Sequence, residues 1–261
     1  LHVIVGENDY IDDDKIDLTA MQENLSSYKG KTSTSSPSPH EWENAFGDAD
    51  VVFCITVTSS LSGTYNSAVI AKDIYEQNHA GRKVYVLDSL STGPEIALFI
   101  EKIAELIKAG FAPDDIYKTL LEYKDKTHLY FSLASLNNFA KNGRISPVIA
   151  AGIGLLGVRV VGKASDEGTL LPLDKCRGEK RALKKLIDHL KECGYTDGKI
   201  IIAHNNNEAG ALELKKLIEN TFGIFNGTIQ KTRALCSYYA EPGSLLIGFE
   251  ASLCNHKPYK D

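Results

Sequence analysis

The chain has 261 residues, 43% of them apolar, and 34 acidic against 29 basic side chains give a formal charge of −5. That length holds one large or two modest domains with a real core, and the composition excludes a disordered polypeptide. The acidic balance argues against nucleic acid as a partner, because phosphate binding wants a basic face.

Residues 1–5 read as a strand closed by Gly6. The acidic stretch 9–17 is expected as a loop leading into a helix over 17–26. The stretch 31–39 (KTSTSSPSP) is expected as a loop, since hydroxyls and prolines favour turns and caps. A helix over 40–46 follows it. Residues 51–58 (VVFCITVT) are apolar and β-branched almost throughout, the pattern of a strand buried on both faces. After the loop 59–65 come a helix to about Asn78 and a strand over 84–88. Helices over 93–109 and 114–124 precede a strand at 127–132. Strand and helix alternate, which predicts an α/β layer structure with a mostly parallel sheet in this half.

The texture changes near Asn142. Residues 148–162 are apolar but too short and too glycine-rich to span a membrane, which takes roughly 20 residues. A second α/β unit then reads as a strand to 163, a turn at 166–168 and a strand through 173. A charged helix over 178–193, a strand at 200–204 and a helix over 208–222 follow. Strands from 229 and over 244–250 close the chain. A boundary near residue 147 gives domains 1–147 and 148–261. No signal peptide is visible at the start, and five scattered cysteines without Cys-x-x-Cys spacing read as reduced thiols of a cytoplasmic protein.

The strongest site candidate is Ser59-Ser60-Leu61-Ser62-Gly63-Thr64-Tyr65. It leaves the carboxyl end of a strand and opens a helix, where ligands bind in open α/β sheets. A helix start offers free N–H groups and the positive end of the dipole. Gly63 allows close approach, and Ser60, Ser62 and Thr64 add hydroxyl donors; an ordinary helix cap is the competing reading. The hydroxyls of 31–39 could serve the same anion or form a solvated loop. Asp88 and His204 end strands, and structural roles rank first for both. Ser62, His204 and Asp88 can be assembled as a triad on paper, but the Gly-x-Ser-x-Gly elbow is absent. No Walker loop, Gly-x-Gly-x-x-Gly or His-Glu-x-x-His is present, so neither nucleotide nor zinc is expected. Arg144 and Arg177 could each clamp an oxyanion or form ordinary ion pairs.

Taken in order, these segments resemble the DegV family of bacterial fatty-acid-binding proteins over nearly the whole chain. Thr34-Ser35-Ser36-Pro37-Ser38-Pro39 is similar to the family's Thr-Ser-x-Pro-Ser-Pro loop. The stretch from Ser59 to Tyr65 resembles its Ser-Ser-x-Leu-Ser-Gly-Thr-Tyr, one residue short before the leucine. Asp88-Ser89, Gly143-Arg144-Ile145-Ser146 and Lys175-Cys176-Arg177 match further family segments.

The resemblance implies two α/β domains with a lipid tunnel between them and no catalysis or cofactor. It implies a long-chain fatty acid whose carboxylate is held by Thr34 and Ser62, with Ser35, Ser60, Gly63, Thr64 and Tyr239 nearby. Arg144 and Arg177 would serve the head group or a partner. That partner is a separate ATP-dependent kinase subunit, to which the bound acid is presented. A small serine-dependent acyl or phosphoryl transferase, and a binding protein for another small anion, are the alternatives. The family's opening strand is expected to be missing ahead of Leu1. The late motif His-x-Gly-Pro-Gly reads here Tyr239-Ala240-Glu241-Pro242-Gly243, with Tyr239 for the histidine and Glu241 for a glycine.

Overall fold

The computed structural model describes residues 1–146 and 157–251. The chain opens with a three-stranded antiparallel sheet in which β1 (His2–Val5) lies between β2 (Asn8–Ile11) and β3 (Thr32–Ser35). Alternation along β1 turns Val3 and Val5 into the core. Two segments expected as loops are therefore paired. β3 has only short hydroxyl side chains, yet its backbone is satisfied by β1, and threonine suits a pleated surface. Helix α1 (Leu18–Ser27) is capped by Asp17, which accepts from the Ala20 N–H at 3.0 Å. Helix α2 (Pro39–Phe46) begins with a capping box between Ser38 and Glu41.

Strands β4 (Val51–Thr56) and β5 (Lys83–Asp88) pair in parallel, with α3 (Thr64–Asn78) as the crossover between them. β4 was expected to be buried on both faces. It is only partly covered, with Val51 exposed, because among the described residues it pairs with β5 alone.

Helices α4 (Pro94–Lys108) and α5 (Pro113–Lys124) lead to β6 (Thr127–Leu133) and the short α6 (Asn137–Lys141). Beyond residue 156 come β7 (Val158–Ala164), β8 (Leu170–Arg177), α7 (Glu179–Glu192), β9 (Ile200–His204) and α8 (Glu208–Phe222). β10 (Gly227–Lys231), α9 (Ala234–Ala240) and β11 (Leu245–Glu250) complete the order. Helix α9 was missed in the sequence, being a single short segment of mixed side chains directly after a strand.

Six strands form one mixed sheet in the order β10-β9-β11-β6-β7-β8, and only β9 and β10 run parallel within it. The sheet thus joins β6 from before residue 147 to strands from after it. Its two faces follow the period of two. Tyr130, Leu245, Ile247 and Phe249 pack against Leu183 and Leu186 of α7 and Leu214 of α8. Leu129, Phe131, Leu133 and Leu246 turn to the opposite face. Phe131 sits across from Gly162 in the β6–β7 pairing, and a Cβ there would lie 2.7 Å from ring atoms of Phe131.

Cys54, Cys176 and Cys236 are free thiols, but Cys193 is disulfide-bonded, which corrects the expectation of reduced thiols throughout. Spacing along the chain does not report which cysteines the fold brings together. No helix among the described residues is long and apolar enough to cross a membrane, and no cluster among them could hold a metal ion.

Candidate functional site

One cavity gathers most of the expected ligand contacts. Its polar end is lined by Thr34, Ser35, Ser36, Ser62, Arg144 and Tyr239. Its other side is the outward face of the sheet, with Leu129, Phe131, Leu133 and Leu246, joined by Phe139 and Leu170.

The polar end begins at the β4–α3 loop. Asp88 at the end of β5 holds that loop by accepting the Ser59 and Leu90 N–H groups, each at 3.1 Å. This is the structural role the sequence reading ranked first. Gly63 is the N-cap of α3 and has no side chain to cap the helix; Ser62 Oγ accepts the Thr64 N–H at 3.3 Å. Ser62 Oγ lies 2.7 Å from Thr64 Oγ1 and 3.2 Å from Ser36 Oγ. Thr34 Oγ1 meets the Tyr239 hydroxyl at 2.8 Å. The result is a trio and a pair of neutral hydroxyls at one end of an apolar space, able to turn their protons toward an anion.

Arg144 supplies the charge. Its Nε donates to the Leu61 carbonyl at 3.3 Å and its Nη1 to the Asn142 carbonyl at 2.5 Å. Among the described residues it forms no ion pair with a carboxylate. Burial raises the Tyr239 phenol above its ordinary range, opposed by the Thr34 hydrogen bond and the nearby Arg144 charge. Tyr239 is thus a neutral donor at physiological pH. Its ring lies 4.8 Å from that of Phe139.

Several expected residues stand elsewhere. Ser60 is exposed and donates to the Glu167 carbonyl, and Thr58 Oγ1 donates to the Gly168 carbonyl at 2.8 Å. These bonds dock the β7–β8 turn on the loop. Gly168 has a φ of 77°, and a side chain there would collide with Thr58 Oγ1. Gly63 and Thr64 support Ser62 without lining the cavity, and Arg177 is exposed at the end of β8, away from the lining. Of the apolar stretch expected to line a tunnel, 148–156 lies outside the described residues. Val158–Gly162 is part of β7 and is not in the lining. Ser36 and the sheet wall were missed; the wall's signal was the alternation Leu129, Phe131, Leu133.

The paper triad does not assemble as a catalytic set. Ser62 bonds with hydroxyls, Asp88 with loop N–H groups, and His204 Nδ1 accepts the Asn207 N–H at 3.3 Å. Glu241, found where the family motif has glycine, has a φ of 56°. Its carboxylate accepts from Ser135 Oγ at 2.9 Å and from the Asn138 N–H at 3.1 Å, tying α9 to the first turn of α6.

Comparison with known proteins fits this geometry. Residues 1–252 match the model of the DegV family, described as uncharacterised proteins. A DegV domain-containing protein of Streptococcus pneumoniae is 40% identical over 250 residues, covering 96% of this chain and 89% of that one. A crystal structure of a DegV family protein from Eubacterium eligens, loaded with heptadecanoic acid, superposes with a TM-score of 0.93 at 39% identity. It covers 96% of this chain and 91% of that one. The Fatty Acid Kinase (Fak) B3 protein of S. pneumoniae, loaded with linoleic acid, also gives 0.93 at 39% identity, covering 96% and 89%.

Proposed function

The chain belongs to the DegV family, and on that premise we propose that it binds a long-chain fatty acid. The carboxylate sits at Thr34 and Ser62, and the acyl chain lies along the apolar wall. The observation that carries this reading is one cavity with hydroxyls and Arg144 at one end and the face of a sheet along its side. Burying each CH₂ contributes about 0.8 kcal/mol, so a dozen methylenes outweigh any head-group contact and the hydroxyls chiefly set orientation. Similarity to a protein described as a fatty acid kinase component supports presentation of the bound acid to a separate kinase subunit. The chain has no nucleotide-binding motif of its own, so phosphoryl transfer belongs to that ATP-dependent partner, and the pair to the cytoplasm. Ser62 acts as a donor and not as a nucleophile, since its hydrogen-bond partners are the Ser36 and Thr64 hydroxyls and the Thr64 N–H, none of them a base.

Mass spectrometry of lipid extracted from purified protein tests the proposal. A near-stoichiometric acyl chain is expected. No acyl chain, together with no uptake of added fatty acid, would count against it.

A further inference from the structure

The polar end of the cavity is made from four segments that share no sheet: β3 with Thr34, the loop with Ser62, the turn after α6 with Arg144, and α9 with Tyr239. Something must hold them in register. The Tyr238 side chain is fully buried, at 0% exposure, and packs with Val3, Val5 and Met21. Its hydroxyl lies 2.7 Å from Thr32 Oγ1 and accepts from Asn142 Nδ2 at 2.8 Å.

Both partners stand two residues before a head-group residue. Thr32 and Thr34 share a face of β3, so Tyr238 and Tyr239 take one threonine each. The Asn142 carbonyl accepts from Arg144, and Arg144 reaches the Leu61 carbonyl beside Ser62. Ser36 then meets Ser62 and closes the circuit back to the end of β3. The Tyr238 hydroxyl is the link in this ring that joins β3 to the Arg144 arm.

We propose that Tyr238 is a positioning residue of the head-group site: it touches no ligand but sets Thr34 and Arg144 against one carboxylate. This rests on the fatty-acid reading. A buried tyrosine with only a packing role would affect all ligands of the cavity alike. A positioning role affects those that carry a carboxylate.

The test compares tetradecanoic acid with tetradecanol, which shares the tail but not the charge, on the full chain. Tyr238→Phe keeps the ring and removes the hydroxyl. Its affinity for the acid is expected to fall about tenfold, as for loss of a hydrogen bond that organises a charged group. Its affinity for the alcohol is expected to change less than about twofold. Asn142→Ala removes the same link from the other side and should reproduce the selective loss. In the double variant the two losses should fall short of adding, as for members of one network. If Tyr238→Phe does not fold, Asn142→Ala carries the test alone. Equal losses for acid and alcohol, or an unchanged affinity for the acid, would overturn the positioning role while leaving the fatty-acid reading intact. A wild-type chain that binds neither ligand would overturn that reading, and the role with it.

Discussion

The two sides of the cavity are built in opposite ways. The apolar wall is a single sheet face, in which Leu129, Phe131, Leu133 and Leu246 are locked by strand pairing and by a second core behind them. The polar end is spread over several elements, of which β3 alone is strand-paired. It is held by hydrogen bonds between side chains that are 26 to 206 positions apart in the chain. On the proposed reading, the wall resists deformation and supplies most of the binding energy, while the polar end contributes less energy and sets which way the ligand points.

This contrast can be broken most strongly at the wall. Phe131→Ala removes a ring that is 4% exposed. It is expected to lower fold stability by about 3–5 kcal/mol in denaturant titrations without ligand. At the polar end, Ser62→Ala should leave that stability nearly unchanged and weaken fatty-acid binding by about 1–3 kcal/mol in calorimetry. An unchanged affinity would remove Ser62 from the head-group site.

A buried carboxyl on the same face of the sheet as the wall sharpens the comparison. Glu95, at the start of α4, is 4% exposed and accepts from Thr127 Oγ1 of β6 at 2.8 Å. Burial raises its pKa to about 6, opposed by the nearby Ser91 hydroxyl, the Thr127 hydrogen bond and Lys124. Its protonated form is therefore favoured in the folded chain. That contribution is fully present below the ordinary carboxylate range and is lost as pH rises through about 6. Glu95→Gln, which stays neutral, should remove this loss, worth about 2 kcal/mol between acidic and neutral pH. Melting curves across that window would show whether the wild type alone weakens. The smallest effect belongs to Tyr239. A phenol raised by burial stays protonated, so fatty-acid affinity should be flat from about pH 6 to 8, the range over which a histidine donor would lose its charge.

The two regions were also unequally legible in the sequence. The β-branched run of β4, the strand ending at Asp88 and the loop carrying Ser62 could be read locally, because periodicity and turn chemistry act over a few residues. β3 could not, since Thr-Ser-Thr-Ser has no apolar alternation and becomes a strand only by pairing with β1. Ser60 was read as a ligand contact because hydroxyls look alike in a sequence; its real partner is 107 positions away. Tyr239 could be placed only through the family motif. Tyr238 carried no signal, because its role exists only once β3, α6 and α9 meet.

The central claim is the orientation of the ligand. A crystal structure of the chain loaded with a saturated fatty acid tests it most directly. The carboxylate is expected within hydrogen-bonding distance of Ser62 Oγ and Thr34 Oγ1, with the chain running past Phe131 and Leu246. A carboxylate at the opposite end of the cavity, or an acyl chain bound outside it, would contradict the account.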